Sequence, residues 1–143
     1  MSHPTLDLKR ASLALRRALD QTVKPFHFTA GQFDVLQLLM HEDGIEHREL
    51  QRRLNIVSPT LTNILDVLER NGHIVRRSES NDGRLKTIHL TDAARSLCAS
   101  EAFCKAGESL VAQMFRGFTE NERRDFLRYL RRVEVNLDEV TGS

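Results

Sequence analysis

The sequence predicts a mostly α (α+β) chain in which one short β-hairpin interrupts a series of helices. Three observations point there. Leu, Arg, Glu and Ala dominate the composition, a helix-favouring set. Only seven Gly and three Pro occur, too few for a β-sandwich rich in turns. The helical spacing of apolar residues also breaks once, after Gly72, into two short runs of strand character. With no repeat, low-complexity tract or linker, residues 1–143 read as one continuous unit, long enough to bury a core unaided.

Residues 5–24 read as a first helix, with Leu8, Leu15, Leu19 and Val23 on one stripe. Lys24 and Pro25 end it. Thr29 with Gln32 forms a capping box that opens a second helix, carrying Phe33, Leu36, Leu39 and Met40 inward. Glu42, Asp43 and Gly44 stop that helix. Residues 47–54 form a short third helix with Leu50 and Leu54 inward, and 55–57 make a tight connection. Ser58 and Pro59 open a fourth: serine is a strong N-cap, and proline in the first turn gives up no needed hydrogen bond. Leu61, Ile64, Leu65 and Leu68 then sit at i, i+3, i+4 and i+7, one buried stripe, and Asn71 with Gly72 is a C-cap signal.

Residues 74–77 and 85–90 have strand character, joined by a charged stretch containing Asn81, Asp82 and Gly83. Thr91 and Asp92 cap a fifth helix running to about residue 117. Thr119 with Glu122 repeats the capping-box pattern and starts a sixth. There Phe126, Leu130, Val133, Leu137 and Val140 alternate spacings of four and three, an a/d seam that needs another helix against it.

Apolar residues at 40% and charged residues at 29% suit a globular chain rather than a disordered one. No apolar run approaches the ~20 residues that cross a bilayer, and the opening residues carry no signal-peptide core. The expected location is therefore the cytoplasm, with no membrane partner. Two cysteines are too few for a disulfide framework. The net charge of +1 conceals an uneven distribution. Residues 30–46 carry four acidic side chains and no basic one, whereas residues 47–90 carry eight basic and five acidic. A basic middle of this kind is compatible with a phosphate-binding face.

A helix-turn-helix followed by a charged hairpin is a winged helix, whose usual work is DNA reading. The buried stripe of the fourth helix leaves Ser58, Thr60, Thr62 and Asn63 at its start and Arg70 near its end. Free N–H groups at such a helix start meet phosphate, and small hydroxyl and amide side chains reach base edges. Arg84 at the hairpin tip is the right type to enter a narrow minor groove, and Asp82 could orient it through a forked pair. Arg76, Arg77 and Lys86 on the strands are further phosphate candidates; Arg48, Arg52 and Arg53 on the third helix are weighed mainly as a solvated face.

From residue 28 to 95 the chain resembles the MarR family of bacterial transcription regulators. The resemblance rests on Phe28, Thr29, Gln32 and Phe33; on residues 50–54; on Ser58, Pro59, Thr60, Leu61, Thr62, Asn63, Ile64, Leu65 and Asp66; on Leu68, Glu69, Arg70, Asn71 and Gly72; and on Asp82, Gly83 and Arg84 leading to Leu90 and Thr91. Gln51, Val67 and Ala94 depart from the family's usual residues. The resemblance implies a winged helix-turn-helix with additional N- and C-terminal dimerisation helices. The DNA-binding lobe would span about 30–95, and about 1–28 and 96–143 would form the dimerisation region. It implies a homodimer on double-stranded DNA, mostly a repressor, released in many members by a small anionic or phenolic effector or by oxidation of a cysteine.

Phe26, Phe28, Phe33 and Phe103 could line an effector crevice, although core packing suits each one taken singly. Cys98 and Cys104, six apart on the predicted fifth helix, would lie ~120° apart around its axis, which excludes a disulfide and favours buried apolar thiols. His41, Glu42 and His47 are the nearest approach to a metal site, so no metal or cofactor is expected. No nucleophile elbow, phosphate-binding glycine loop or metal-ligand spacing points to an enzyme. The alternative reading is a winged helix used only to dock protein.

Overall fold

In the computed structural model, residues 3–78 and 85–142 are described. Helix α1 (Pro4–Val23) starts with proline in its first turn and runs into a 3₁₀ turn, Lys24–Phe26. His27, at φ 66°, closes it in the left-handed conformation, and the Phe28 amide reaches back to the Val23 carbonyl at 3.3 Å. The predicted stripe is buried only at its C-terminal end: Val23 lies in the core, Leu19 is half-buried, and Leu8 and Leu15 are exposed.

Helix α2 (Ala30–His41) begins with the predicted capping box. The Gln32 amide donates to Thr29 Oγ1 at 3.2 Å and the Thr29 amide to Gln32 Oε1 at 3.0 Å. The buried residues are Val35, Leu36 and Leu39, whereas Met40, expected inward, is 40% exposed. The apolar face is centred between Val35 and Leu36, about a quarter turn from Met40. Asp20 of α1 accepts the Ala30 amide at 2.6 Å, and Arg16 pairs with Asp34, so α1 is tied to the start of α2.

A strand the sequence reading missed follows: β1 (Ile45–Glu46), two residues paired antiparallel with Ile88 and Thr87. Helix α3 (His47–Leu54) ends on Asn55 at φ 51°, where the Ile56 amide meets the Gln51 carbonyl at 3.3 Å. Helix α4 (Ser58–Arg70) buries Leu61, Leu65 and Leu68, and leaves Ile64 half-buried. Its N-cap is Val57, not Ser58. The Val57 carbonyl accepts from the amides of Thr60 and Leu61, at 3.1 and 3.2 Å, so Ser58 and Pro59 occupy the first turn and the serine hydroxyl caps nothing. At the other end Gly72, at φ 79°, lets the His73 amide reach the Leu68 carbonyl at 2.8 Å and its own amide the Glu69 carbonyl at 3.0 Å, a Schellman closure.

The predicted hairpin is present as β2 (Ile74–Ser78) and β3 (Lys86–Leu90), antiparallel in register from Ile74 opposite Leu90 to Ser78 opposite Lys86. The sheet order is β1-β3-β2. Ile74, Ile88 and Leu90 face the core formed with α2 and α4. Gly44 sits where α2 turns into β1, at φ 74°, with its amide on the Ile88 carbonyl at 3.0 Å. A Cβ there would stand 3.1 Å from the His89 ring. Gly44→Ala should therefore destabilise the fold by about 1–2 kcal/mol from the left-handed backbone alone, read as a lower urea midpoint. An unchanged midpoint would refute the strain.

The predicted long fifth helix is two helices, α5 (Asp92–Cys98) and α6 (Glu101–Met114). Thr91 caps α5 through the Ala94 amide at 3.1 Å, and its hydroxyl donates to the Gly72 carbonyl at 2.7 Å. The break comes from Ser100, whose hydroxyl donates to the Leu97 carbonyl at 2.7 Å and accepts the Phe103 amide at 3.3 Å. One side chain thus ends the first helix and starts the second, in competition with the helical ladder. Helix α7 (Glu120–Thr141) opens with the predicted capping box of Thr119 and Glu122. The chain divides into two compact units, Met1–Gly107 and Glu108–Ser143. In the second, Phe115, Phe118 and Phe126 meet edge to face with centroids 5.4 to 6.1 Å apart, and Arg123 lies 4.6 Å above the Phe115 ring.

Candidate nucleic-acid interface

Leu61, Leu65 and Leu68 anchor α4 in the core and so turn the opposite face outward. On that side Thr60, Asn63 and Arg70 are exposed; Ser58, in line with Leu61 and Leu65, is exposed because it occupies the first turn, and Thr62 on the flank is half-buried. The first turn of α4 carries the positive end of the helix dipole beside these hydroxyl and amide groups, which suits an anionic ligand. His47, at the start of α3, places Nε2 3.5 Å from Ser58 Oγ. Sequence reasoning missed this neighbour, because eleven residues and a turn separate the two.

The strand cations differ from one another. Arg77 and Lys86 are exposed and form no ion pair among the described residues. Arg76 is half-buried between two carboxylates of α4, Asp66 at 2.8 Å and Glu69 at 2.7 Å. Its guanidinium hydrogen bonds hold the Glu69 carboxyl below the usual carboxylate range, and Glu69 in turn raises the Arg76 value. Arg76 therefore ties β2 to α4, a fixed spacing between the hairpin and the helix. Asp82 and Arg84, the predicted tip residues, lie outside the described residues.

On α3, Arg52 and Arg53 both bond Glu49, at 2.7 and 2.8 Å, and Arg53 also meets Glu42 at 2.9 Å. Hydrogen bonds from Arg52 and Arg53 lower the Glu49 carboxyl from 4.5 to about 2. A depressed carboxylate stabilises the fold above its unfolded value, and that contribution is lost as pH falls through the folded one. Stability should thus decline between about pH 4.5 and about pH 2. Melting curves of Glu49→Gln should decline less over that window; parallel curves would refute the pairing. Arg48 is exposed and forms no ion pair among the described residues.

A polar hub at the hairpin base also escaped the sequence reading, which took Asp43 only as a helix stop. Asp43 accepts the Leu90 amide at 2.9 Å and the Arg95 guanidinium at 2.7 Å, and stands 3.6 Å from His89 Nδ1. It joins the end of α2 to β3 and α5. Partners 47 and 52 residues away leave no local signal.

Of the aromatic candidates, Phe26 and Phe33 gather around Phe103, with centroids 5.0 and 6.0 Å from it. Phe28 does not join them: it is buried in the core and meets His73 edge-on at 4.9 Å. Desolvation lowers the His73 value. Among the described residues, no three His, Cys, Asp or Glu side chains cluster as metal ligands. The two cysteines fall on different helices, contrary to the single-helix expectation, and only Cys98 is half-buried; Cys104 is exposed. The predicted seam of α7 stands exposed on the single chain: Phe126, Leu130, Val133, Leu137 and Val140 all keep a large share of their surface.

Helix-turn-helix, antiparallel hairpin and capping helix, in this order and register, define a winged helix-turn-helix protein. Residues 28–86 match the MarR family model. The HTH-type transcriptional regulator PecS of Dickeya dadantii is 30% identical over 135 residues, covering 91% of this chain and 79% of that one. The HTH-type transcriptional regulator TtmR of Methylorubrum extorquens is 37% identical over 133 residues, covering 93% and 66%. Against three of its curated relatives the chain spans 60–66% of their length. A MarR family transcriptional regulator from Listeria monocytogenes, solved in complex with a 26mer DNA, shares the fold with TM-score 0.83, at 24% identity over 97% of this chain and 91% of that one. The chain belongs to the MarR family of transcription regulators. No helix among the described residues is long and apolar enough to cross a membrane.

Proposed function

We propose that the chain is a sequence-specific DNA-binding repressor that works in the cytoplasm as a homodimer on a near-palindromic operator and is released by a small-molecule effector. The observation that carries this reading is the start and outward face of α4, where Thr60 and Asn63 are exposed away from three buried leucines and Ser58 is exposed in the first turn. The α4 start enters the major groove, and Ser58, Thr60, Thr62 and Asn63 meet base edges or phosphate. Arg70, Arg77 and Lys86 supply phosphate contacts, while Arg76 sets the spacing of hairpin and helix. Arg84, oriented by Asp82, enters the adjoining minor groove. Residues 30–95 form the reading lobe; residues 1–28 and 96–143 form the dimer base.

Two-fold symmetry requires half-sites about one helical turn apart, roughly 34 Å. An effector releases DNA only by binding better to the non-binding spacing of the two α4 helices. Phe26, Phe33 and Phe103 offer an aromatic wall for it; Phe28 is committed to the core.

The test is binding to a duplex from the region upstream of the chain's own gene, across salt concentration. A protein making several phosphate contacts should lose about a thousandfold or more in affinity between ~50 and ~200 mM salt. Arg84→Ala should weaken binding about tenfold, at an unchanged oligomeric state. Absence of duplex binding even at low salt would overturn the proposal and favour a protein-docking winged helix. Unchanged affinity of Arg84→Ala would overturn the hairpin's role alone.

A further inference from the structure

We infer that a joint of Arg16, Asp20, Gly31 and Asp34 fixes α4 to α1 and so sets the spacing at which the two reading helices of a dimer meet DNA. This role rests on the proposed dimeric DNA reading, in which α1 belongs to the dimer base. Arg16 and Asp20 are four apart on α1, neighbours on one face of the helix. Ala30 and Asp34 are likewise four apart on α2. The two pairs meet in antiparallel order: Arg16 pairs with Asp34, and Asp20 Oδ1 accepts the Ala30 amide at 2.6 Å. The ties lie about 6 Å apart along each helix, so together they fix an angle and not merely a distance. The linker is closed as well, by the Phe28 amide on the Val23 carbonyl at 3.3 Å.

Gly31 carries the joint on to α4. A Cβ at this position would stand 3.3 Å from Ile64 Cδ1 and 3.5 Å from Arg16 Nη2. The bare Cα thus lets α4 and the Arg16 side chain close together on the first turn of α2. Ile64 lies between exposed Asn63 and buried Leu65, so this contact is made by the reading helix itself. The apolar side chains along the outer turns of α1, Leu6, Leu8, Leu13 and Leu15, are exposed on the single chain, so polar ties set the angle of that stretch. An exposed ion pair contributes little to stability. Two-site binding reads direction instead, where play of one base-pair step, ~3.4 Å, already misplaces the second half-site.

Two measurements on the full chain test the joint. Each compares the parent with Arg16→Ala plus Asp20→Ala, and with Arg16→Lys plus Asp20→Asn, which keep a cation and an acceptor. Arg16 and Asp20 are exposed, so both double variants leave the core intact. The first measurement uses the upstream duplex and the same duplex lengthened by one base pair between its half-sites, which adds about 3.4 Å and ~35° of rotation. The parent should bind the lengthened duplex about a hundredfold more weakly, because the second half-site is lost. The alanine pair should narrow that ratio to about tenfold or less, and the conservative pair should keep it. An equal loss on both duplexes is what a merely destabilised chain would show, and it would overturn the joint. The second measurement uses no DNA. Spin labels at Ser12→Cys and Thr60→Cys, with Cys98→Ser and Cys104→Ser, report the distance from α1 to α4 in labelled chains diluted with unlabelled ones. The distribution should be narrow in the parent and the conservative pair, and wider in the alanine pair. Equal widths would overturn the joint. If the parent bound neither duplex at low salt, the DNA reading would fall, and the widths would still decide the joint.

Discussion

Replacing Leu130 and Leu137 together by Asp should yield a folded monomer whose affinity for duplex DNA is at least about a hundredfold below that of the parent chain. The two leucines are 39% and 53% exposed on the single chain, so new carboxylates there remain hydrated and cost the fold little. Packed against a second helix, each would be buried without a partner, at several kcal/mol apiece. That exceeds what a surface seam of this kind can offset. Loss of the dimer makes the second half-site contact intermolecular, which removes a factor of about 10²–10⁴. Sedimentation and duplex titration read the two consequences separately, with helical circular dichroism as the control. Survival of a stable dimer would mean that the seam of Phe126, Leu130, Val133, Leu137 and Val140 is not the interface.

Leu65→Ala should cost about 3 kcal/mol and lower the melting temperature by roughly 10 °C. Leu65 is fully buried, as are its companions Leu61 and Leu68 and the α2 side chains Val35, Leu36 and Leu39. Truncation removes the transfer energy of the side chain and leaves a cavity between elements held by their own backbone bonds. Against a total stability of ~5–15 kcal/mol, this is a large share. Thr60→Ala, five residues earlier on the exposed face, should stay within about 0.5 kcal/mol of the parent while weakening duplex binding. Equal melting losses in the two variants would mean that the faces of α4 are reversed.

The elements legible in the sequence are those whose signals close within a few residues. Both capping boxes, Thr29 with Gln32 and Thr119 with Glu122, formed as read, because each joins groups three positions apart. The leucine stripe of α4 and the hairpin strands were equally legible, since periodicity and turn residues are local. Helix starts were less so: Val57, not Ser58, takes the N-cap, because the backbone geometry there satisfies the first amides with a carbonyl. The split of α5 from α6 turned on Ser100, a residue as able to sit on a helix surface as to cap one.

The candidate site divides in the same way. Its residue types were visible, but their commitments were not. Arg76, Arg77 and Lys86 look alike as strand cations, yet only Arg76 is held by Asp66 and Glu69. Phe28 looks like Phe26 and Phe33, yet packs on His73 away from Phe103.

From its amino acids alone this chain determined where most helices and the two hairpin strands fall and which stripe of α4 turns inward, because those preferences are settled by neighbours within a turn or two. Tertiary structure alone decided that two residues at Ile45–Glu46 become a strand, that Asp43 gathers Leu90 and Arg95, and that Cys104 meets Cys98 across a helix break. Such partners are chosen by how the chain closes on itself, and no short window of sequence contains both of them.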